Sequence, residues 1–568
     1  ATTACAQDIS EGSRRRRGCE ARWCVHGVGF EGTSGARASP RTLAGTKYVE
    51  PENYAEAQRS YHSQQWAEAE AIELRSLKKN RTWEVVVLLA PDDVTLHTKW
   101  VYKLKKRGDG VINKWKARLV GCGNEQVAGR NYEMTFSDVV EMLKVRVIIV
   151  LGKRWGTPGR HGDVPSAFVK ACTEPGLRIV LDKPQGMTIS REMMELRKSL
   201  YGLKQAGRLW RSLVHKTLIG KGYQQTYTDS CVYVKRDARG VTVVGVYVDD
   251  TLVTGTSPAR VSEFYEDMAS IELKNQGPVS KFLGIRVRDT SDGYDLDQQA
   301  AIEELLGIFD MSLANLVKVP SDEDLLPVAS DATCPSRQDF PSLMGSLLWL
   351  ARCTRPDISF AVHRASRRTH APTHGDWRMA KRILHYLIGT RDFSLLLRCS
   401  QNHTNASVRV SAYSDANYAG DAVDRKSVSG GLVLLNDAPI SWMCKKQTAV
   451  ALSTAEAEFA AAVGTLTELI GVQALLQEIG VTVESPSVLF MDNQAAQLQL
   501  ESETTSGRVK HVDVKLKFAR DIVKKRTVTL KHGPTAKMIA DVFTKGAPAP
   551  RMAELRVMIG LHALEDAA

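Results

Sequence analysis

The stretch Val246-Tyr247-Val248-Asp249-Asp250-Thr251-Leu252-Val253 sets two adjacent aspartates between two apolar runs, Val241–Val248 and Leu252–Val253. Such a pattern reads as a β-hairpin with the acidic pair at its tip. Two carboxylates held close together repel each other unless a proton or a cation stands between them. A divalent metal is the obvious cation, and hard oxygen ligands suit Mg²⁺, which usually takes one or two carboxylates plus substrate phosphates. An isolated Asp-Asp is more often a solvated turn, so its meaning rests on the surrounding chain.

The chain has 568 residues, which at roughly 150 residues per domain predicts three or four units. A net charge of +12 mildly favours a polyanionic partner, most simply nucleic acid. The ten cysteines form no CxxC pair and are scattered as in a reduced intracellular protein. No apolar h-region marks a secretory signal, and no stretch is expected to reach the ~18 apolar residues that cross a bilayer. These features predict a soluble, cytoplasmic or nuclear protein with no membrane partner.

Residues 1–47 lack a hydrophobic period, carry the run Arg14–Arg17, and read as disordered. The run is as readily incidental as a nuclear-localisation or nucleic-acid patch. A helix is predicted over 53–79, with Ala55, Trp66, Ala69 and Leu77 on one face. Strands are predicted at Val85–Leu89, Trp100–Leu104 and Trp115–Val120, the last two flanking the turn Gly108-Asp109-Gly110. The basic residues around that turn include Lys103, Lys105, Lys106, Lys116 and Arg118. Alternate members share one face of a hairpin, a face suited to a triphosphate or simply to solvent. Further expectations are a helix over 261–276, a hairpin over 282–298 turning at Asp292-Gly293, and a helix over 301–309. A polar linker over 320–341 and a basic, mostly helical segment over 342–396 follow, then a second linker at 399–407. From Val408, strands near 408–414, 430–435 and 487–491 alternate with helices at 454–478 and 508–524, which predicts a compact α/β domain.

Four acids stand out in that last segment. Asp415 and Asp492 close predicted strands, Glu458 lies on the helix opening at Ser453, and Asp541 lies in the short helical stretch Pro534–Lys545. Acids at strand ends and on helix faces can converge on one point. Four of them make a two-metal hydrolase site, with ions about 3.5–4 Å apart.

These residues carry a resemblance. From about Glu50 to about Lys545 the chain resembles the reverse transcriptase and ribonuclease H portion of a copia-type LTR retrotransposon Pol polyprotein. Trp66-x-x-Ala69, Leu77-x-x-Asn80-x-Thr82-Trp83, Lys99-Trp100-Val101-Tyr102-Lys103 and Lys116-Ala117-Arg118-Leu119-Val120 are similar to its opening segments. Leu200-Tyr201-Gly202-Leu203-Lys204-Gln205-Ala206, Tyr247-Val248-Asp249-Asp250, Phe282-Leu283-Gly284-Ile285 and Thr354-Arg355-Pro356-Asp357-Ile358 follow in the family's order. Asp424-Arg425-Lys426-Ser427 and Lys510-His511-Val512-Asp513 resemble its ribonuclease H part.

The resemblance implies an α+β and α/β multidomain fold. A right-hand polymerase of fingers, palm and thumb (48–320) would precede a linker and helical connection (321–405). A ribonuclease H-like domain (406–548) and a tail (549–568) would complete it. The implied activity is RNA-directed DNA synthesis with cleavage of the RNA strand of a hybrid. The implied partners are an RNA template, a DNA primer, RNA–DNA hybrid and deoxynucleoside triphosphates. The implied cofactor is Mg²⁺, two ions per active site, with Mn²⁺ as a substitute. Asp163 would join Asp249 as metal ligands with Asp250 in support, and Asp415, Glu458, Asp492 and Asp541 would hold the second pair. Lys105, Lys106, Lys116 and Arg118 would contact the triphosphate, Phe168 would exclude a 2′-hydroxyl, and Gln205 would line the nucleotide pocket.

The chain departs from this pattern before Asp163. The family's apolar strand is replaced by Gly156-Thr157-Pro158-Gly159-Arg160-His161-Gly162, and a Lys-Asn pair by Pro165-Ser166. Proline and glycine weaken a strand, so the placement of Asp163 decides between an active enzyme and a decayed copy. Its carboxylate is expected within reach of a metal shared with Asp249, and a separation above about 8 Å would favour decay. Pro165 is compatible with the first turn of a following helix. Asn417 stands where an Asp is common. The chain thus reads as a polyprotein fragment or fused remnant, and the alternative to an active enzyme is a decayed copy that keeps only nucleic-acid binding.

Overall fold

The computed structural model describes residues 49–564 apart from 87–93, 107–110, 188–192, 322–335, 337, 400–406, 422 and 502–509. The segment expected to be disordered, with Arg14–Arg17, lies outside the described residues, as do the turn Gly108-Asp109-Gly110 and most of both expected linkers. The side chains of Lys106 and of Lys510-His511-Val512-Asp513 lie outside them too.

The first ordered helix is two helices, Tyr54–Arg59 and Ser63–Lys79. Trp66, Ala69 and Leu77 are buried on the second as the periodicity predicts, whereas Ala55 is exposed and Ala57 takes its place. The Trp66 ring meets those of Tyr102 and Trp115 at 5.1 and 4.5 Å. This contact lays the helix on the hairpin of Thr98–Lys106 and Ile112–Gly121. A four-stranded sheet of short strands, Trp83–Val86, Met193–Leu196, Val180–Leu181 and Thr95–Leu96, lies beside them.

A six-stranded sheet carries the acidic hairpin. Its order is Lys274–Pro278, Arg160–Asp163, Asp250–Gly255, Gly240–Tyr247, Val232–Asp237 and Gln224–Gln225. Alternate residues of a strand face opposite sides. Val243 and Leu252 accordingly join a core with Ile148 of helix Met142–Arg154. Val244, Val246 and Val253 join Trp210, Val214, Val261 and Phe264 on the other face. The helix expected over 261–276 ends at Asp267. Glu272 then turns the chain at φ 56°, and Lys274–Pro278 pairs with Arg160–Asp163. Strand pairing wins there over local helix propensity.

A five-stranded antiparallel sheet follows: Lys281–Phe282, Ile285–Thr290, Gly293–Asp297, Phe393–Arg398 and Leu561–Ala563. Phe393–Arg398 was expected to close a helical segment, and residues 549–568 were expected to be a tail. Instead helix Ala549–Ile559 and strand Leu561–Ala563 bring the C-terminal region back to pair with Phe393–Arg398. Helices Gln299–Ile308, Asp339–Cys353, Ser359–Ala365 and His374–Ile388 pack around their own core.

The last sheet runs Ala438–Lys446, Val428–Leu435, Val410–Asn417, Ser487–Met491 and Val528–His532, the first three antiparallel and the rest parallel. Its outer strands, Ala438–Lys446 and Val528–His532, were not anticipated. Helix Thr454–Ile479 crosses this sheet. By length and composition it could cross a membrane, contrary to expectation, but 61% of its apolar window is buried in the fold. A helix apolar all round is what a position between a sheet and other helices demands.

The segment Thr354-Arg355-Pro356-Asp357-Ile358 has a structural reason. Arg355 and Asp357 are fully buried and joined by two bonds, Nε to Oδ1 at 3.0 Å and Nη2 to Oδ2 at 2.7 Å. The Tyr386 hydroxyl donates to the same carboxylate at 2.7 Å, and Arg355 donates to the Thr390 carbonyl at 2.8 Å. Removing one partner of a buried pair strands the other charge, at a cost of about 3–5 kcal/mol. Asp357→Ala is therefore expected to lower stability by that amount in urea unfolding, and a near-neutral result would contradict the pairing.

Candidate active sites

The last antiparallel pair of the acidic hairpin is Tyr247 with Asp250, so Val248 and Asp249 form a two-residue turn. Val248 takes φ 53°, a left-handed conformation costly for a β-branched residue. Neighbours hold the turn in place. The Trp210 indole donates to the Val248 carbonyl at 2.6 Å, and the Val164 amide donates to the Asp249 carbonyl at 3.0 Å.

Asp163 ends strand Arg160–Asp163, in register with Asp250 on one side and Lys274 on the other. The glycines that looked like damage allow this close fit. A Cβ on Gly162 would lie 2.4 Å from Thr251 Oγ1 and 3.0 Å from Leu273, and one on Gly159 would lie 3.2 Å from Leu252. Pro165 is not within a helix: Ser166 follows it at φ 55° as the cap of the short 3₁₀ turn Ala167–Lys170.

The three acids have different surroundings. Burial pushes the Asp249 carboxyl up, and the charges of Asp250 and Asp163 push it further while Arg118 draws it down. Asp250 Oδ1 lies 2.8 Å from His161 Nε2, a partner that sequence reading noted only as part of a weakened strand. The alternation of the strand supplied the missed signal, since His161 stands two residues before Asp163.

Lys105, Lys116 and Arg118 share one face of their hairpin. Burial lowers Lys116 to about 8, the charges of Arg118 and Lys105 add to that, and Glu73 and Asp249 oppose it. This basic face therefore feels the acidic turn. Lys103, on the same face, is tied to Glu50 at 2.9 Å. The Arg118 guanidinium lies over the Tyr201 ring at 4.6 Å, and Phe168 meets that ring edge-on at 5.4 Å. Gln205 does not line an open pocket. It is fully buried, accepts from Gln126 at 3.0 Å and donates to the Asn131 carbonyl at 2.9 Å. In this structure its amide braces the wall instead.

In the second centre, the parallel register pairs Tyr413 with Phe490. Asp415 and Asp492 each lie two residues farther on and project to the same side. Helix Thr454–Ile479, capped by Ser453, brings in Glu458. Oxygens of Asp415, Glu458 and Asp492 lie within 4.8 Å of one another, the one such acidic group among the described residues. Asp541 sits beside the three rather than among them, paired with Lys545 at 2.8 Å and Arg551 at 3.4 Å. Both cations were missed, although Lys545 stands at the i+4 spacing of a helical pair. Thr544 donates to Asp415, and Asn417 donates to the Thr544 carbonyl at 3.1 Å. Gly430 makes room for that turn, since a Cβ there would lie 2.6 Å from Thr544.

The electrostatics of this centre favour a cation. Burial and the charges of Asp415 and Asp492 push Glu458 up to about 9, and burial pushes Asp415 to about 6. Asp492 is raised as well, again first by burial. Glu458 Oε1 accepts from the Ala416 amide at 3.1 Å, whereas its buried Oε2 has no hydrogen-bond partner among the described residues. An orphaned carboxylate oxygen facing two more acids fits a hard divalent ion.

A raised carboxyl binds its proton more tightly in the folded state, so its contribution is fully present below the unfolded value and lost as pH rises through the folded one. Without divalent ions, the thermal midpoint should therefore fall between pH 5.5 and 8.5, with Mg²⁺ restoring it best at high pH. Glu458→Gln should flatten the fall and weaken the Mg²⁺ effect in differential scanning fluorimetry. Identical pH profiles would reject the coupling.

Residues 80–323 match the family model described as reverse transcriptase (RNA-dependent DNA polymerase). The chain is 33% identical over 548 residues to a retrovirus-related Pol polyprotein from transposon TNT 1-94 of Nicotiana tabacum, covering 93% of this chain and 40% of that one. It is 31% identical over 493 residues to a counterpart from transposon RE2 of Arabidopsis thaliana, covering 86% and 33%. The chain thus spans about a third to two-fifths of these relatives. Among solved structures, a foamy viral protease-reverse transcriptase in complex with dsDNA covers 90% of each chain, with 12% identity and a TM-score of 0.43.

Proposed function

The chain belongs to the reverse transcriptase family of copia-type retrotransposon Pol polyproteins, and from that premise we propose that it extends a DNA primer on an RNA template and cuts the RNA strand of the resulting hybrid. Residues 48–320 would form the polymerase, 321–405 the connection and 406–548 the ribonuclease H part. The observation that carries the reading is the register of Arg160–Asp163 against Asp250–Gly255, with the Lys116–Arg118 face acting on Asp249. The well-paired strand before Asp163 argues against decay at that point.

At the first centre Asp163 and Asp249 hold the cations, and Asp250, bonded to His161, supports them. Lys105, Lys106, Lys116 and Arg118 receive the triphosphate of a deoxynucleotide. Phe168, backed by Tyr201, limits the space beside the sugar, where a 2′-hydroxyl is what separates ribo- from deoxyribonucleotide. At the second centre Asp415, Glu458 and Asp492 hold the cations and Asp541 completes the acidic set. Two divalent ions per centre, Mg²⁺ or in its place Mn²⁺, would activate the attacking oxygen and stabilise the leaving one.

Asp249→Asn should abolish primer extension and spare cleavage of a preformed hybrid, and Asp492→Asn should do the reverse. Loss of both activities from either substitution would count against two separate sites. Phe168→Val should admit ribonucleotides at least about tenfold more readily, the scale expected for a modest change in transition-state contacts. Unchanged sugar selectivity in single-nucleotide kinetics would remove Phe168 from that role.

A further inference from the structure

Helix Met142–Arg154 lies under the acidic hairpin, where a Cβ on Gly245 would come within 2.9 Å of Ile148. The same helix buries three cations toward segments distant in sequence. Lys153 reaches Asp289 and the Thr290 carbonyl, the latter at 2.7 Å. Arg154 reaches the Ser407 carbonyl at 3.5 Å, at the entrance to the last sheet.

Arg146 is the most committed of the three. It is 2% exposed, and no carboxylate pairs with it among the described contacts. Its guanidinium donates to the carbonyls of Ile440 at 2.9 Å, Arg352 at 2.5 Å and Cys353 at 2.8 Å. It also lies 3.9 Å from the ring centre of Trp442. The Trp442 indole in turn donates to the Ala351 carbonyl at 2.8 Å. One charge from the helix under the acidic hairpin is thus solvated by backbone from helix Asp339–Cys353 and strand Ala438–Lys446 together. Opening this junction would leave a buried charge and three carbonyls unsatisfied. A second seam, where Arg236 donates to the Glu478 carbonyl at 2.6 Å, is exposed, so water can replace it cheaply.

We propose that Arg146 is a positioning residue that fixes the spacing between the two acidic centres, and thereby where the RNA strand is cut behind the primer terminus. This rests on the bifunctional reading. Neither centre touches Arg146, so each activity alone survives its loss while their registration does not.

The test uses the full chain on a recessed primer–template hybrid with Mg²⁺. Wild type should cut the RNA at a narrow set of positions measured from the primer end. Arg146→Met should spread those positions about twofold or more, while primer extension and cutting of a hybrid without a recessed end stay within about twofold, because misplacement affects geometry rather than chemistry. Trp442→Leu removes the ring beside Arg146 and the indole bond to the Ala351 carbonyl, should fold if Arg146→Met does not, and should spread the cuts to a smaller extent. Pulsed electron paramagnetic resonance between spin-labelled residues at exposed Ile219 and Leu498 gives an activity-independent readout. A narrow distance distribution in wild type that broadens in the variants supports the role. An unchanged cutting pattern, or an unchanged distribution, overturns it. If wild type neither extends nor cuts, the bifunctional reading fails and the distance measurement alone decides the spacing role.

Discussion

The acidic hairpin depends on how closely one four-residue strand fits between two neighbours. Arg160–Asp163 pairs with Asp250–Gly255 on one edge and Lys274–Pro278 on the other. Only a residue without a side chain clears Thr251 and Leu273 at position 162. The fit carries Asp163 to the level of Asp250, and the Val164 amide then bonds back to Asp249. The left-handed Val248 is tolerated because Trp210 and Val164 hold the turn from both sides. Local strain of this kind persists only where the surroundings over-determine it.

The two centres handle crowded negative charge differently. At the hairpin, His161 takes one carboxylate and the Lys116–Arg118 face acts on another, so part of the repulsion is compensated within the protein. In the second centre Lys545 offsets part of the charge, yet Glu458 stays strongly raised with one oxygen orphaned. Raised carboxyls oppose folding above their unfolded values. The fold therefore carries a standing cost there, one that a bound cation would relieve.

A single continuous core runs from helix Met142–Arg154 through the five-stranded sheet into the last sheet. Ile148, Leu395 and Leu466 all belong to it. The parts of the molecule are therefore joined by packed side chains as well as by the linkers expected from the sequence. Buried Arg146 sits at the same junction, which makes the geometry between the centres a property of the packing.

Much was legible from local pattern. The acidic hairpin, the turn at Asp292-Gly293 and helix Thr454–Ile479 follow from apolar runs and turn residues, because those signals lie within a dozen or two adjacent positions. The convergence of Asp415, Glu458 and Asp492 was legible only as a set in a familiar order. What the chain could not show locally was whatever distant partners decide. The approach to Asp163 looked damaged because proline and glycine are poor strand formers on average, and only the neighbours reveal that a larger residue has no room. Lys274–Pro278 is a strand because an edge was open to it, and Leu561–Ala563 because Phe393–Arg398 offered one. Gln205 was expected at a pocket and is instead spent on Gln126 and Asn131. The sequence by itself determined which residues carry the acids and the element types that bear them, since those depend on neighbours in the chain. The tertiary structure alone decided which acids meet, which are neutralised by cations and how the two centres are spaced, since those depend on contacts between residues hundreds of positions apart.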